Sequence, residues 1–237
     1  MIKLLQSYFH RVLKWPVFWI LMGVGVLGGM IIGFFAQKYA GMILSLPFML
    51  SGILFPHYVG LFIALYNYPQ FTGGTIRNQI GVGHKRSYIL FADWLSSNFI
   101  SLGLFLSFSG ALYLSAAITG GLENVSAEAF GWALGISCLQ VMLYTTSALL
   151  FCVILKGILS FLAVYFINQI VAAAGFIIST KQADWGFWTQ LLPSAAVMDM
   201  NVYEVMEGAW IIALTSAALV TALYFISQMY FKKADLK

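Results

Sequence analysis

The sequence predicts an all-α integral membrane protein with six transmembrane helices, cytoplasmic N and C termini, and an amphipathic N-terminal helix at the membrane interface. Of its 237 residues, 61% are hydrophobic and 8% are charged, whereas a water-soluble domain carries roughly 25% charged residues. Six apolar runs are long enough to cross a bilayer, which takes about 20 residues. Most basic residues lie on one side of these runs, which predicts a single orientation.

The first predicted element is a helix over residues 2–14 that lies on the membrane surface. Its polar stripe at helical spacing consists of Lys3, Ser7, His10 and Lys14. The apolar residues Leu5, Phe9 and Val12 lie on another face. Pro16 ends this helix and begins the first span. From these residues alone, the helix is equally an anchor or a contact with a partner.

The six predicted spans form one domain, residues 1–237. Their apolar runs cover residues 17–37, 46–68, 91–118, 129–155, 157–179 and 208–231. Pro47 and Pro56 predict a kink in the second span. Only Lys156 lies between the fourth run and the fifth, which begins with Gly157. We expect a tight turn there, because the combined run is much longer than the roughly 20 residues of one span.

The distribution of charge sets the predicted topology. Ten of the twelve Lys and Arg residues fall on one side of the spans, and the exceptions are Lys38 and Lys181. By the positive-inside rule, the first side is cytoplasmic. Two loops are then long, the cytoplasmic segment 69–90 and the external segment 180–207. The net charge of +4 is explained by these membrane flanks, so we predict no binding to nucleic acid.

Glycines in the first run match a nucleotide-binding pattern by letter only. Gly23-x-Gly25-x-x-Gly28 has the dinucleotide fingerprint but lies inside an apolar span, not between a strand and a helix. Gly25, Gly29 and Gly33 are spaced by four and share one helix face. Small residues on one face let two helices approach closely. We therefore predict a helix-packing face.

The sequence contains no pattern of a common catalytic site. It has no Gly-Lys pair for a phosphate-binding loop, no Gly-x-Ser-x-Gly turn and no His-Glu-x-x-His zinc pattern. We predict a chain that is not an enzyme and binds no cofactor or metal itself. Asp93 is expected near the interface, at the start of the third span. The spans then hold almost no ionisable residue at depth, which argues against an ion-coupled transporter.

The cytoplasmic loop carries the most informative sequence. Thr75 can cap a short helix with Ile76 and Ile80 on one face, and Gly81 and Gly83 end it. The basic residues that follow are His84, Lys85 and Arg86. One interpretation is a rigid helix that another protein grips, and the other is a basic loop that only follows the positive-inside rule.

The same loop carries a family resemblance. Gly74-Thr-Ile-Arg-Asn followed by Gly83-x-Lys-Arg resembles the loop between the second and third spans of type-2 ATP-binding-cassette (ABC) exporter permeases. It is most similar to the small bacterial permeases of the bacitracin, lantibiotic-immunity and toxin-peptide export groups. His84 departs from the small polar residue that is more usual there. Those permeases have six spans, internal termini, an amphipathic N-terminal helix and an enlarged last external loop.

The resemblance implies the transmembrane subunit of an ATP-driven exporter. A separate ABC ATPase would bind ATP and Mg²⁺, and a second copy of this permease or a similar one would complete the pathway. A coupling helix would dock on the ATPase between Thr75 and Gly83. The residues implied in this coupling are Thr75, Ile76, Arg77, Asn78, Gln79, Ile80, Gly81, Gly83, Lys85 and Arg86.

The resemblance also assigns roles to the two ends of the pathway. Residues 2–14 would be a connecting helix that touches the ATPase, through Leu5, Phe9, Arg11 and Val12. External segment 180–207 would form short re-entrant helices that close the path, with Trp185, Trp188 and Pro193 at the gate. The implied cargo is an amphipathic or hydrophobic peptide, toxin or antimicrobial drug, expelled across a bacterial cell membrane. The alternatives are an ATP-independent transporter or channel, and a non-transport scaffold or sensor subunit.

Overall fold

The computed structural model describes residues 2–35, 43–48, 50, 55–122, 125–155, 203–206 and 208–233, with a few single positions between 162 and 174. Within this part of the chain the ordered elements are helices, and no strand occurs. They are α1 (Ile2–Lys14), α2 (Pro16–Phe34), α3 (Phe55–Thr72), α4 (Thr75–Gly81), α5 (Arg86–Ile118), α6 (Ala127–Leu155) and α7 (Ala209–Lys233). The all-α class is therefore confirmed.

Four helices, α2, α5, α6 and α7, are long and apolar enough to cross a membrane. Helix α6 has 29 residues and is about 44 Å long at 1.5 Å per residue, more than the roughly 30 Å of a hydrocarbon core. These four helices fit a multi-pass membrane protein. The six-span count and the orientation stay predictions. The predicted turn at Lys156 and Gly157 and the gate residues Trp185, Trp188 and Pro193 lie outside the described residues.

Helix α1 ends at Lys14, and Pro16 then occupies the first turn of α2. Proline fits there because the first amide groups of a helix have no carbonyl partner within it. Trp15 between them is extended, with φ −79° and ψ 109°. The single residue between the two helices places the end of α1 directly at the start of a candidate span.

Gly25, Gly29 and Gly33 of α2 face α5 of the same chain. A Cβ added at Gly29 would overlap the carbonyl oxygen of Phe108, and one added at Gly33 would overlap that of Leu112. Ser115 Oγ on α5 also donates to the carbonyl oxygen of Met30 at 2.9 Å. The close helix packing expected of this face is thus made within the chain, and Gly29 and Gly33 are not available to a second copy.

Large apolar side chains cover the outward surfaces of α2 and α7. On α2 these exposed residues are Trp19, Ile20, Val24, Leu27, Ile31 and Phe34. On α7 they are Trp210, Leu214, Phe225, Met229 and Tyr230. A surface of this kind is unstable in water and stable against lipid or a second protein. It fits the membrane class that composition predicted.

Candidate functional site

Helix α4 is a seven-residue helix held between two glycines with positive φ. Gly74 has φ 71° and precedes the helix, and Gly83 has φ 96° and follows it. The sequence predicted that Thr75 would cap the helix, but Gly74 occupies the cap position and no side chain bonds there. The left-handed backbone at position 74 explains the difference, because glycine adopts it without steric cost.

The apolar side of α4 packs into the chain itself. Ile76 is 3% exposed and belongs to a cluster that joins the ends of several helices. The other buried members of this cluster are Leu4, Tyr8, Ile89, Leu90, Ala92, Leu149, Val153 and Phe231. Ile80 packs half-buried against its edge. We call this group the α4 cluster.

This packing corrects one expectation. The sequence predicted that Ile76 and Ile80 would face the partner, whereas the structure turns Ile76 away from the surface. An apolar face on a short helix can be covered by the same chain or by another one. Here α1 and α5 provide the covering side chains, Leu4 and Ile89 among them.

The surface that α4 leaves exposed contains part of the predicted coupling set and one residue outside it, Val82. It consists of Arg77, Asn78, Gly81, Val82, Gly83 and Lys85, and we call it the coupling surface. Val82 is 81% exposed and is the large apolar side chain at its tip. Sequence reasoning missed Val82, although its position between Gly81 and Gly83 was a signal. Glycine neighbours have no side chains that could cover it.

Arg86 makes a contact within the chain that the resemblance did not imply. Its Nη1 atom donates to the carbonyl oxygens of Phe231 at 3.4 Å and of Lys232 at 3.0 Å. These carbonyls are in the last turn of α7, where helix C-termini have unsatisfied acceptors and a partial negative charge. Arg86 therefore fastens the start of α5 to the end of α7.

Helix α1 packs against this end of the bundle with a face rotated from the predicted one. Its buried stripe is Leu4, Tyr8 and Val12, and the predicted residues Leu5 and Phe9 are half-buried beside it. The ring of Phe9 meets that of Phe99 edge-on at 5.1 Å. The predicted polar stripe of Lys3, Ser7, His10 and Lys14 is exposed. Tyr8 belongs to the buried stripe because its ring is buried although its hydroxyl is polar.

A hydrogen bond joins α1 to α4. The hydroxyl of Tyr8 donates to Gln79 Oε1 at 3.1 Å, across 71 residues of sequence. Burial raises the pKa of the Tyr8 phenol well above its ordinary value, so it stays protonated and able to donate. The Arg11 guanidinium lies over two rings, 5.2 Å from the centroid of Tyr8 and 4.5 Å from that of Tyr66.

Polar side chains continue this contact into the bundle. Gln70 Nε2 on α3 donates to Asp93 Oδ1 on α5 at 2.9 Å and to Asn67 Oδ1 at 2.8 Å. Asn67 Nδ2 donates to Ser97 Oγ at 3.4 Å. Buried polar groups of this kind are costly unless they are hydrogen-bonded. These hydrogen bonds therefore fix α3 against α5 behind α4.

Asp93 is buried by other residues of the chain. It is 2% exposed and lies about two turns from the start of α5, while its position near the membrane interface stays a prediction. The helix begins at Arg86, well before the apolar run at residue 91, because Ile89 and Leu90 pack into the α4 cluster. Arg11 and Asp93 both lie close enough to Tyr8 to act electrostatically on its hydroxyl.

We predict that Tyr8→Phe loosens α4 without unfolding the bundle. The change removes the bond to Gln79 and keeps the buried ring, and one hydrogen bond contributes about 1 kcal/mol. Amide hydrogen exchange over residues 75–81 should become several-fold faster, while exchange in α6 stays the same. Tyr68→Phe is the matched control, because Tyr68 is an exposed tyrosine at the end of α3. Equal exchange in both variants would contradict this role of Tyr8.

Among the described residues, no group of three or more His, Cys, Asp or Glu side chains could hold a metal ion. The geometry of α4 is that of a short helix that presents Val82 outward and is tied inward through Ile76 and Gln79. No protein-family model matches the sequence, and no curated protein matches it. The resemblance to ABC exporter permeases therefore stands on residues 74–86 themselves.

Proposed function

We propose that this chain is the transmembrane subunit of an ATP-driven exporter whose ATPase is a separate chain. The observation that carries the proposal is the geometry of α4. It is a short helix fixed between Gly74 and Gly83, anchored inward by Ile76 and presenting Val82 outward. Such a helix is suited to be gripped by a protein partner.

The contacts of α4 explain how a force on it would reach the spans. Helix α4 packs against α3 and α5, and Ile76 shares its cluster with Val153 of α6 and Phe231 of α7. The Tyr8–Gln79 bond adds α1. Because the interior of a protein is densely packed, a displacement of α4 by the ATPase moves these helix ends together. ATP and Mg²⁺ act in the partner, and this chain supplies no catalytic residue.

Electrostatics favours an acidic partner surface. Arg77 and Lys85 flank Val82 on the coupling surface, and Lys232 and Lys233 lie exposed in the last turn of α7. Complementary charges at the rim of an interface raise the association rate more than the final affinity. The connecting role of α1 stays part of the proposal, with Ser7 and His10 of its exposed polar stripe as the surface available to the ATPase.

Assembly and cargo complete the proposal. A second permease copy, or a similar permease, would contact the apolar outward surface of the first span, α2, or the predicted fifth span over residues 157–179. Gly29 and Gly33 already pack against α5 and would not take part. The cargo is an amphipathic or hydrophobic peptide, toxin or antimicrobial drug, and Trp185, Trp188 and Pro193 would close its path outside. The membrane is a bacterial cell membrane.

One observation favours a second candidate, an ATP-independent transporter. Buried Asp93 is an ionisable group inside a candidate span, and such groups mark ion or proton paths. Its hydrogen bond from Gln70 and its place beside α1 indicate a structural role instead. The exporter needs an ATPase, whereas the ATP-independent transporter does not. A scaffold or sensor subunit, the remaining alternative, would transport nothing.

We predict that this chain co-purifies from native membranes with a soluble ABC ATPase and hydrolyses no ATP alone. The reason is that it lacks a Gly-Lys pair for a phosphate-binding loop and displays the coupling surface. The measurement is ATP hydrolysis by the chain alone and by the co-purified complex, with an unrelated multi-pass protein purified in parallel as the control. ATP hydrolysis by the chain alone, or cargo transport without an ATPase, would overturn the proposal.

A further inference from the structure

A crevice of about 300 Å³ lies where α1, α2 and α3 meet. It is lined by Arg11, Lys14, Trp15, Pro16, Leu65 and Tyr66. Two cations and two aromatic rings come together there. The Asp93 carboxylate acts electrostatically on Arg11, but no carboxylate lines the crevice itself. An anionic ligand is therefore the chemical class that it fits.

The crevice lies at the N-terminal end of α2, where this candidate span begins. Lys14 and Trp15 directly precede this candidate span. Trp19, one turn further, donates from Nε1 to the carbonyl oxygen of Leu13 at 2.7 Å and keeps its ring exposed. Leu65 on α3 is also exposed. Tryptophan and lysine side chains at the end of a span are typical of the lipid headgroup region.

Arg11 gives an independent indication of a missing acceptor. Its Nε and Nη2 atoms are buried and have no hydrogen-bond partner. Stacking on the Tyr8 and Tyr66 rings supports the guanidinium plane but accepts no hydrogen bond in the usual geometry. A buried donor without an acceptor is costly, and more so when it is charged. A small shift of the side chain toward a bound oxyanion would satisfy these donors.

We propose that this crevice binds the phosphate group of an anionic phospholipid. The phosphate contacts Lys14 and Arg11, the Trp15 ring covers the glycerol region, and an acyl chain runs over Leu65 along the bundle. Arginine recognises phosphate through its planar set of donors, and lysine does so as a point charge. The lipid would brace α1 against α2 and α3. This inference requires a membrane location but not the exporter function.

The test compares Lys14→Gln with Lys3→Gln, an exposed lysine of the same helix outside the crevice. Each protein is studied in nanodiscs of phosphatidylcholine alone and of phosphatidylcholine mixed with phosphatidylglycerol. Retained phosphatidylglycerol is counted by native mass spectrometry, and its affinity is measured by titration. One cation near the surface contributes about 1 kcal/mol, so Lys14→Gln should weaken binding about five-fold. Lys3→Gln should leave the phosphatidylglycerol affinity unchanged. Lys14→Arg keeps the positive charge and should retain that affinity.

Arg11 is left unchanged in this test because it stacks in the core, and its loss would confuse folding with binding. Lipid-free detergent with inorganic phosphate provides the second arm. We expect no Lys14-dependent binding of phosphate there, because inorganic phosphate has no acyl chain to pack against Leu65. Equal lipid affinity of the two glutamine variants would overturn the proposal. So would a Lys14-dependent affinity for inorganic phosphate that equals the affinity for the lipid.

Discussion

Val82→Asp is expected to abolish stable binding of the ATPase while the chain remains folded. Val82 is 81% exposed at the tip of the coupling surface, so the substitution removes no core contact. Replacing an apolar anchor in the centre of an interface typically costs about 2 kcal/mol or more, which is about thirty-fold in affinity. A buried carboxylate adds a desolvation cost. The measurement is ATPase co-purification and cargo-stimulated ATP turnover.

Two controls separate docking from folding in this experiment. Val82→Ile keeps an apolar side chain and should retain binding, and Arg77→Ala should lower it modestly and mainly at low salt. Ile80→Asp is the less informative variant, because Ile80 also packs against the α4 cluster and its loss disturbs the bundle. Full turnover by Val82→Asp would contradict the docking role of this loop. The loop would then be a basic loop that only follows the positive-inside rule.

Gly29→Ala is expected to have the largest effect on stability. The added Cβ would meet the Phe108 carbonyl oxygen and the Leu112 amide nitrogen, which are backbone atoms of α5 and cannot move as a side chain does. Forcing one methyl group into a close-packed contact typically costs about 1–3 kcal/mol. The measurement is thermal unfolding in a mild detergent, with the fraction of correctly inserted chain recorded for each variant.

Gly23→Ala is the matched control in the same helix. A Cβ at Gly23 meets no atom within 4 Å. Alanine also has the higher helix propensity, by up to about 1 kcal/mol. This variant should be as stable as the original chain or slightly more so. Similar unfolding temperatures for the two variants would show that α2 does not pack on α5 as closely as described.

The sequence by itself determined the class of the protein and several element boundaries. A composition with 8% charged residues leaves lipid as the natural surroundings, whatever the arrangement of helices. Proline at position 16 and glycines at 74 and 83 set local boundaries, because their effect on φ does not depend on distant contacts. Helix α1 over residues 2–14 and the short helix near Thr75 follow from such local rules.

Only the tertiary structure decided which way each face points. Ile76 turns into the chain, Asp93 is buried behind Gln70, and Arg86 bonds the end of α7. Each of these depends on residues far away in sequence, up to 146 positions for Arg86 and Lys232. Spacing along a helix shows which side chains share a face, but not what covers that face. The covering contact, made by another helix, by lipid or by a partner, is fixed only when the helices pack.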